Sequence, residues 1–398
     1  MKSSETPATS SPRIASIDAF RGFVITAMVF VNSVAEKKGI PGWMEHMPQG
    51  VEGMTFADVV FPAFLFIVGM VIPVAYERRR ERGDSVAALL FHTAVRAAGL
   101  IAVGVLLVNA GRFGTDHFGL NENRWLLMIY GGMILAFLET RRFPPLRAAI
   151  LRGVGVAILI AAAAVFRTED GGWLRTSWWG ILGLIGWAYL AGVLCYAICR
   201  KSTMGLLGCL AMLIVIYEAG IAGGLSLLDP IMHYVFVPQV IGSHGAIVVS
   251  GVIAGVWVTD KAMPHRERMS RFVILGLGLL AAGFLLRSVH GFDKINATDS
   301  WALASAGWSL LTFAIFYALM DWRGWKRWAG FLQPAGANPL MAYILPGILI
   351  YGLIELKAGW VLGYGKAGAA AIVQALVLSA VVLATTALLN RMKVIIRF

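Results

Sequence analysis

Apolar stretches of membrane-spanning length recur along this chain and limit its fold more than any other feature. A helix needs about 20 mostly apolar residues to cross a bilayer, and reading for that length gives about twelve candidates, of which the fourth is short. They lie near 18–35, 56–76, 86–110, 125–139, 145–166, 178–199, 203–224, 240–259, 271–290, 301–321, 337–356 and 368–390. The pattern predicts an all-α polytopic integral membrane protein with about twelve transmembrane helices, or eleven if the fourth stretch does not cross.

The composition agrees with a chain that uses lipid as part of its solvent. Hydrophobic residues make up 58% of the sequence and charged residues 14%, whereas soluble domains carry about 25% charge. No shift in composition marks a separate soluble domain, so we expect one transmembrane domain over 14–398. Residues 1–13 are polar and lack the apolar core of a signal peptide, so we predict a disordered cytoplasmic tail there.

The connectors between the candidate spans alternate in charge, because every second connector is rich in lysine and arginine. The basic set contains "ERRRER" at 77–82, "RRFPPLR" at 141–147, "RK" at 200–201, "KAMPHRERMSR" at 261–271, "RGWKR" at 323–327 and "RMKVIIR" at 391–397. Since basic loops remain in the cytoplasm, both termini are predicted to be cytoplasmic. The net charge of +12 then reflects the membrane surface and requires no nucleic acid.

Location and partners follow from the same features. A polytopic chain without a targeting sequence is predicted in a bacterial inner membrane, with membrane lipid around it. The cysteines and histidines show no metal-ligand spacing, so no metal site is predicted. The oligomeric state is left open, with a homodimer as one option.

Three polar side chains converge on the outer end of the first helical hairpin. Asn32 ends the first span, His46 lies in the connector, and Asp58 begins the second span. A histidine can act as a general base near neutral pH, a carboxylate can orient it, and an amide can hold a reacting oxygen. The three residues are therefore candidate catalytic residues. The structural alternative is a loop histidine beside an acid at the start of the second helix.

Two further sets of polar residues are weaker candidates. Asp18 and Arg21 are three positions apart near the inner end of the first span, so they share a helix face. They form either an ion pair that anchors the start of the helix or a site where Arg21 helps to hold a phosphate. His244 lies between two glycines in "GSHGA", which permits close backbone approach, and it is a candidate for the substrate side.

These residues carry a resemblance to the heparan-alpha-glucosaminide N-acetyltransferase family and its bacterial relatives. "SIDAFRGFVITAMVFVNSV" at 16–34, then His46, then "GMTFADVVFPAFLFIVGMVIP" at 53–73 resemble the catalytic region of that family. "GANPLMAYIL" at 336–345 and "DSWALASAGWSLLTFAIFYALMD" at 299–321 resemble two later segments. The first 75 or so residues and 299–346 carry the resemblance, and between them it is mostly hydropathy.

The resemblance implies a transmembrane acyltransferase. Family members move an acetyl group from cytosolic acetyl-CoA, through a polar cavity, to an amine on a sugar across the bilayer. On this basis His46 occupies the catalytic position with Asn32 beside it, and Asp18, Arg21 and Asn338 belong to the side of the donor. The implied partners are acyl-CoA and an extracytoplasmic amino sugar or glycan.

Several alternatives stay open. The histidine can accept the acetyl group as a nucleophile or deprotonate the acceptor in a ternary complex, and we favour the general base because direct transfer needs only one histidine. The chain has "HMPQGVEG" at 46–53 without the family's usual tryptophan. It also has "IGSHG" at 241–245 where the family usually has a D-P-E-G segment, so His244 stands near the position of an acidic residue of the family. Both departures leave the acceptor undefined. A transporter or flippase for a sugar-linked substrate would share the span count and is the alternative function.

Overall fold

The structure is a computed structural model that describes residues 14–35, 37–114, 119–363 and 365–397, together with the backbone but not the side chains of residues 233 and 362. The tail predicted at 1–13 lies outside these residues. The helices are α1 (Ala15–Val34), α2 (Phe56–Glu81), α3 (Val86–Val108), α4 (Glu122–Ala136), α5 (Pro145–Val165), α6 (Gly180–Cys199), α7 (Thr203–Ile221), α8 (Asp229–Val235), α9 (His244–Thr259), α10 (His265–His290), α11 (Asp299–Tyr317), α12 (Gln333–Ala337), α13 (Pro339–Glu355) and α14 (Gly368–Arg391). Short 3-10 helices cover Gly42–Met44, Ser226–Leu228, Arg327–Leu332 and Gly359–Gly363, and π-helical turns cover Pro238–Ser243 and Ala318–Trp322.

Ten helices within the described residues are long and apolar enough to cross a membrane. The helical segments Arg327–Ala337 and Pro339–Glu355 meet at an angle of 76°, and together they form an eleventh span if the bent pair is counted as one. α4 has 15 residues, which corresponds to about 23 Å at 1.5 Å per residue and is shorter than a ~30 Å apolar core. The prediction of an all-α polytopic membrane protein is confirmed, and the count agrees with the lower predicted figure of eleven rather than with twelve.

α9 forms the centre of the bundle, since every residue of this helix except Thr259 is buried. Its backbone lies directly against that of α2. A Cβ added to Gly69 of α2 would be 1.9 Å from the carbonyl oxygen of Val248, and one added to Gly251 of α9 would be 1.9 Å from that of Phe66. Only glycine permits this approach, which is a common device between membrane helices. The contact fixes α2, whose first turn carries Asp58.

Hydrogen bonds between connectors divide the ends of the helices into two groups. At one end Arg200 donates to Glu77 at 3.0 Å, and both belong to the basic connectors predicted from the sequence. At the other end the Gly53 amide donates to the Phe292 carbonyl at 3.0 Å. We call the first end the basic face and the second the outer face. The assignment of the basic face to the cytoplasm stays a prediction.

The bend between α12 and α13 occurs at Asn338, which precedes a proline and therefore leaves helical geometry. The Asn338 side chain is fully buried. It donates to the side-chain oxygen of Asn390 and to the carbonyl of Val394, each at 2.9 Å. The Ile396 amide donates to its oxygen at 3.2 Å. Asn338 therefore ties the bend to the C-terminal end of the chain.

Candidate active site

Asp58 is held firmly in the first turn of α2 and is fully buried. Its Oδ2 accepts from the backbone amides of Met47 and Thr55, each at 3.2 Å. The Thr55 hydroxyl donates to the same oxygen at 3.1 Å. Trp301 Nε1 donates to the backbone carbonyl of Asp58 at 3.3 Å. These donors fix the carboxylate and leave Oδ1 to face the loop that precedes α2.

His46 lies against this second oxygen. The ring Nδ1 is 3.0 Å from Asp58 Oδ1, and 31% of the His46 side chain is exposed. In the tautomer with its proton on Nδ1, the ring donates to Asp58 and keeps a lone pair on Nε2. Asp58 therefore caps α2, as the structural alternative expects, and also contacts His46, as the catalytic interpretation expects.

Lys294 is a third member of this cluster, and the sequence does not single it out. It lies in the connector between α10 and α11, and its Nζ is 2.9 Å from His46 Nδ1 and 3.4 Å from Asp58 Oδ1. Burial lowers the pKa of Lys294, while the negative charge of Asp58 acts in the opposite direction. The residue is 248 positions from His46, and a single loop lysine carries no motif that would have revealed it.

Asp58 and Lys294 compete for one nitrogen of His46. A carboxylate can only accept, so its bond to Nδ1 requires the ring proton on Nδ1. An ammonium can only donate, so its bond to Nδ1 requires the ring proton on Nε2. The cluster thus has two tautomeric states of the neutral ring, and only the first leaves Nε2 basic.

Asn32 lies apart from this cluster. Its exposed side chain is near the end of α1, on the wall of a cavity of about 300 Å³ that Tyr130 and Tyr351 also line. Among the described residues, no hydrogen bond joins Asn32 to His46, and His46 is not on the wall of this cavity. The predicted convergence of three residues therefore holds for His46 and Asp58, and Asn32 faces a separate space.

A larger cavity, of about 1300 Å³, lies among residues of the basic connectors. Asp18 and Arg21 are on its wall and form an ion pair at 2.6 Å. Ile25, Met28 and Tyr343 line both the large and the small cavity, so the two spaces adjoin. The basic side chains around the large cavity are those of Arg21, Arg78, Arg96, Lys201, Lys261, Arg271 and Arg397. The large cavity thus lies on the side of the basic face, and the smaller one, which Asn32 lines, lies next to it.

Two of the residues predicted for the site are enclosed by protein. His244 is 4% exposed, and its Nδ1 is 2.8 Å from the carbonyl of Gln239. The rings of Phe61 and Trp301 lie against it, with centroids 5.7 and 5.9 Å away. The amide of Asn338 is used by the C-terminal segment and is on the wall of neither cavity. Direct contact of either side chain with a ligand is therefore not available in this conformation.

These features define the chain as an integral membrane protein with a large cavity among its basic connectors and a smaller cavity beside it. Residues 13–231, more than half of the chain, match the family described as a domain of unknown function, DUF5009. The chain belongs to this family. The DUF5009 family is in turn a member of the transmembrane acyltransferase family that includes heparan-alpha-glucosaminide N-acetyltransferase.

Two curated relatives bear that name. The chain is 39% identical over 98 residues to heparan-alpha-glucosaminide N-acetyltransferase of Homo sapiens, a match that covers 25% of this chain and 14% of the human protein. It is 37% identical over 105 residues to the Mus musculus protein, which covers 26% of this chain and 15% of the mouse protein. The matches thus span a small part of the length of each relative.

Proposed function

We propose that the protein is an acetyl-CoA-dependent transmembrane acyltransferase. It moves an acetyl group from acyl-CoA in the cytosol to the amine of an amino sugar or glycan on the outer side. The observation that carries this proposal is the pair of adjoining cavities between the basic face and Asn32, with His46 and Asp58 in contact at the outer face. The two relatives, both named N-acetyltransferases, support the class of reaction.

The basic face is the side at which the donor binds. Acetyl-CoA is anionic at its nucleotide end, and arginine and lysine side chains recognise phosphate groups. The large cavity, at about 1300 Å³, exceeds the 300–1,000 Å³ that is usual for small-molecule sites. Asp18 holds the guanidinium of Arg21 at the wall of this cavity, so both residues act on the donor side, with Arg21 directed at phosphate.

The acyl end of the donor extends away from the basic face. Ile25, Met28 and Tyr343 line both cavities, and the proposal requires that a passage opens between these side chains into the space that Asn32 lines. The pantetheine arm would occupy this passage and bring the thioester to Asn32, whose amide would hold the carbonyl oxygen. Asn338 acts indirectly, because its bond network sets the bend of the segment that carries Tyr343.

The chemical step is a direct transfer in which His46 is the general base. The acceptor nitrogen attacks the thioester carbon, a C–N bond forms, the C–S bond breaks, and CoA leaves as a thiolate. His46 Nε2 takes the proton that the acceptor nitrogen loses and passes it to the thiolate, so the products are the amide and CoA thiol. Asp58 orients the ring. Asn32 lines a cavity that His46 does not line in this structure, so its amide stabilises negative charge on the carbonyl oxygen only in a conformation that brings the loop of His46 over that cavity.

The membrane orientation of the protein and the residues behind the outer site belong to the same proposal. The basic face lies in the cytoplasm of a bacterial inner membrane, with both termini on that side. Residues 14–398 act as one transmembrane domain surrounded by lipid. His244 supports the outer site from behind Trp301, which donates to the backbone of Asp58.

The test is an assay of the full chain purified in detergent, with acetyl-CoA and glucosamine as substrates. Thiol release and mass spectrometry of the sugar should report equal amounts of CoA and N-acetylated product. His46→Ala should abolish both signals and retain acetyl-CoA binding, whereas His92→Ala, which removes an exposed histidine of α3, should act like the wild type. Uptake of glucosamine by vesicles without thiol release would favour the transporter instead.

A further inference from the structure

A second cluster of titratable side chains lies at the outer face, where three helices meet. It consists of Glu218 at the end of α7, His290 at the end of α10 and Asp299 at the start of α11. His290 Nε2 is 3.1 Å from each carboxylate oxygen of Glu218. One ligand atom from each of the three residues lies within 4.8 Å of the other two. Their positions in the sequence follow no metal-binding motif.

Asp299 supplies an independent sign that a ligand is needed here. Its side chain is fully buried, and its Oδ1 accepts from the amide of Ser300 at 2.7 Å. Its Oδ2 is buried and accepts from no donor group among the residues that the structure describes, and the polar side chain that interacts with it is the carboxyl group of Glu218. An unpartnered carboxylate oxygen in such a position is unfavourable, and buried charges are normally paired or coordinate a metal.

We propose that Glu218, His290 and Asp299 bind a divalent transition-metal ion, with Zn²⁺ as the best match. One imidazole nitrogen with two carboxylates is a donor set that such ions accept, whereas Mg²⁺ and Ca²⁺ prefer oxygen alone. Zinc bonds of about 2.0–2.2 Å bring neighbouring ligand atoms to roughly 3.3 Å from one another. The 3.1 Å between His290 and Glu218 is close to this value, and the ion would draw Asp299 inwards.

Such an ion would fasten the connector that carries Lys294. His290 and Asp299 flank the connector 291–298, which joins α10 to α11. Glu218 lies near the end of α7, outside this helix pair. The same connector bonds to the loop that carries His46, because the Gly53 amide donates to Phe292. The metal therefore holds both ends of the segment that places Lys294 beside His46, and its binding is independent of acyl transfer.

The experiment uses the untagged full chain in detergent after dialysis against EDTA. Metal analysis and calorimetric titration with ZnCl₂ should give one tight site, and one equivalent of Zn²⁺ should raise the Tm. Glu218→Gln and His290→Gln should bind Zn²⁺ at least tenfold more weakly and lose the shift in Tm. His92→Ala, which removes an exposed histidine, should bind like the wild type.

The wild-type readout does not depend on whether the variants fold. The absence of a tight site together with an unchanged Tm in the wild-type protein would overturn the proposal. Equal Zn²⁺ affinity in the wild type and in a Glu218→Gln protein that elutes as the wild type does would also overturn it. In either case the two carboxylates would share a proton instead of a metal ion.

Discussion

Replacement of Asp58 by asparagine changes the position of the proton on His46 without removing the histidine. Asp58 Oδ2 receives the amides of Met47 and Thr55 and the hydroxyl of Thr55. An asparagine in this place turns its amide oxygen towards these donors, and its NH₂ group then points at His46 Nδ1. The ring must accept that bond, so its proton moves to Nε2 and the general base is lost.

The Asp58→Asn replacement should cause two separate losses, one in kcat and one in the free energy of unfolding. In Ser-His-Asp triads the same replacement lowers kcat by about 10⁴ because it selects the wrong tautomer. We expect a fall of about 10³ to 10⁴ here, which equals roughly 4 to 5.5 kcal/mol of barrier. Lys294, with 24% of its side chain exposed, would also lose its counter-charge. Breaking a fully buried pair costs about 3–5 kcal/mol, so this partly solvated pair should cost about 2 kcal/mol of stability.

The assay compares kcat for thiol release with acetyl-CoA and glucosamine in three proteins: wild type, Asp58→Asn and Asp84→Asn. Asp84 pairs with Arg79 at 3.3 Å near the basic face and is partly exposed, so its replacement should leave kcat close to the wild-type value. Retention of kcat within tenfold in Asp58→Asn, while His46→Ala is inactive, would refute the tautomer argument.

Three further predictions concern the passage, the lysine and the helix contact. Asn32→Ala should lower kcat by about 100-fold, close to 3 kcal/mol of barrier, and an equal loss of acetyl-CoA affinity measured by calorimetry would contradict this role. Lys294→Met should leave kcat at or above the wild-type value, since the ammonium of Lys294 competes with Asp58 for His46 Nδ1 and favours the tautomer without a basic Nε2. Lys294→Arg, which keeps a donor, should stay near the wild type, and a fall in kcat of more than tenfold in Lys294→Met alone would count against this role. Gly69→Ala should destabilise by about 1–3 kcal/mol or more, because its Cβ would lie 1.9 Å from a backbone oxygen of α9, whereas Gly208→Ala, which meets nothing within 4 Å, should not lower the Tm.

The features that could be predicted from the sequence are those that depend on neighbours along the chain. Apolar runs predict the spans because a backbone in lipid has to satisfy its hydrogen bonds within its own helix. α4 is the exception, because its sequence is among the candidate spans but the helix is too short to cross the apolar core. His46 and Asp58 are 12 positions apart, and the hairpin between α1 and α2 brings them to one face.

The features that could not be predicted depend on contacts between distant segments. Lys294 reaches His46 only because the connector after α10 packs onto the loop before α2. Asn338 lies in a segment that resembles the acyltransferases, yet its bonds to the C-terminal residues direct its amide away from both cavities. Asn32 ends α1 as predicted, but hydropathy and spacing do not indicate which cavity its side chain enters.

Transfer across the membrane is tested most directly by a sided assay in sealed, inverted membrane vesicles. Labelled acetyl-CoA is added outside, at the basic face, and glucosamine is trapped inside. We predict labelled N-acetylated sugar inside the vesicles and an equal amount of CoA thiol outside, with neither product in vesicles that contain His46→Ala. Acetylated sugar formed on the same side as acetyl-CoA, or sugar moved unmodified while acetyl-CoA stays intact, would contradict the proposed transfer.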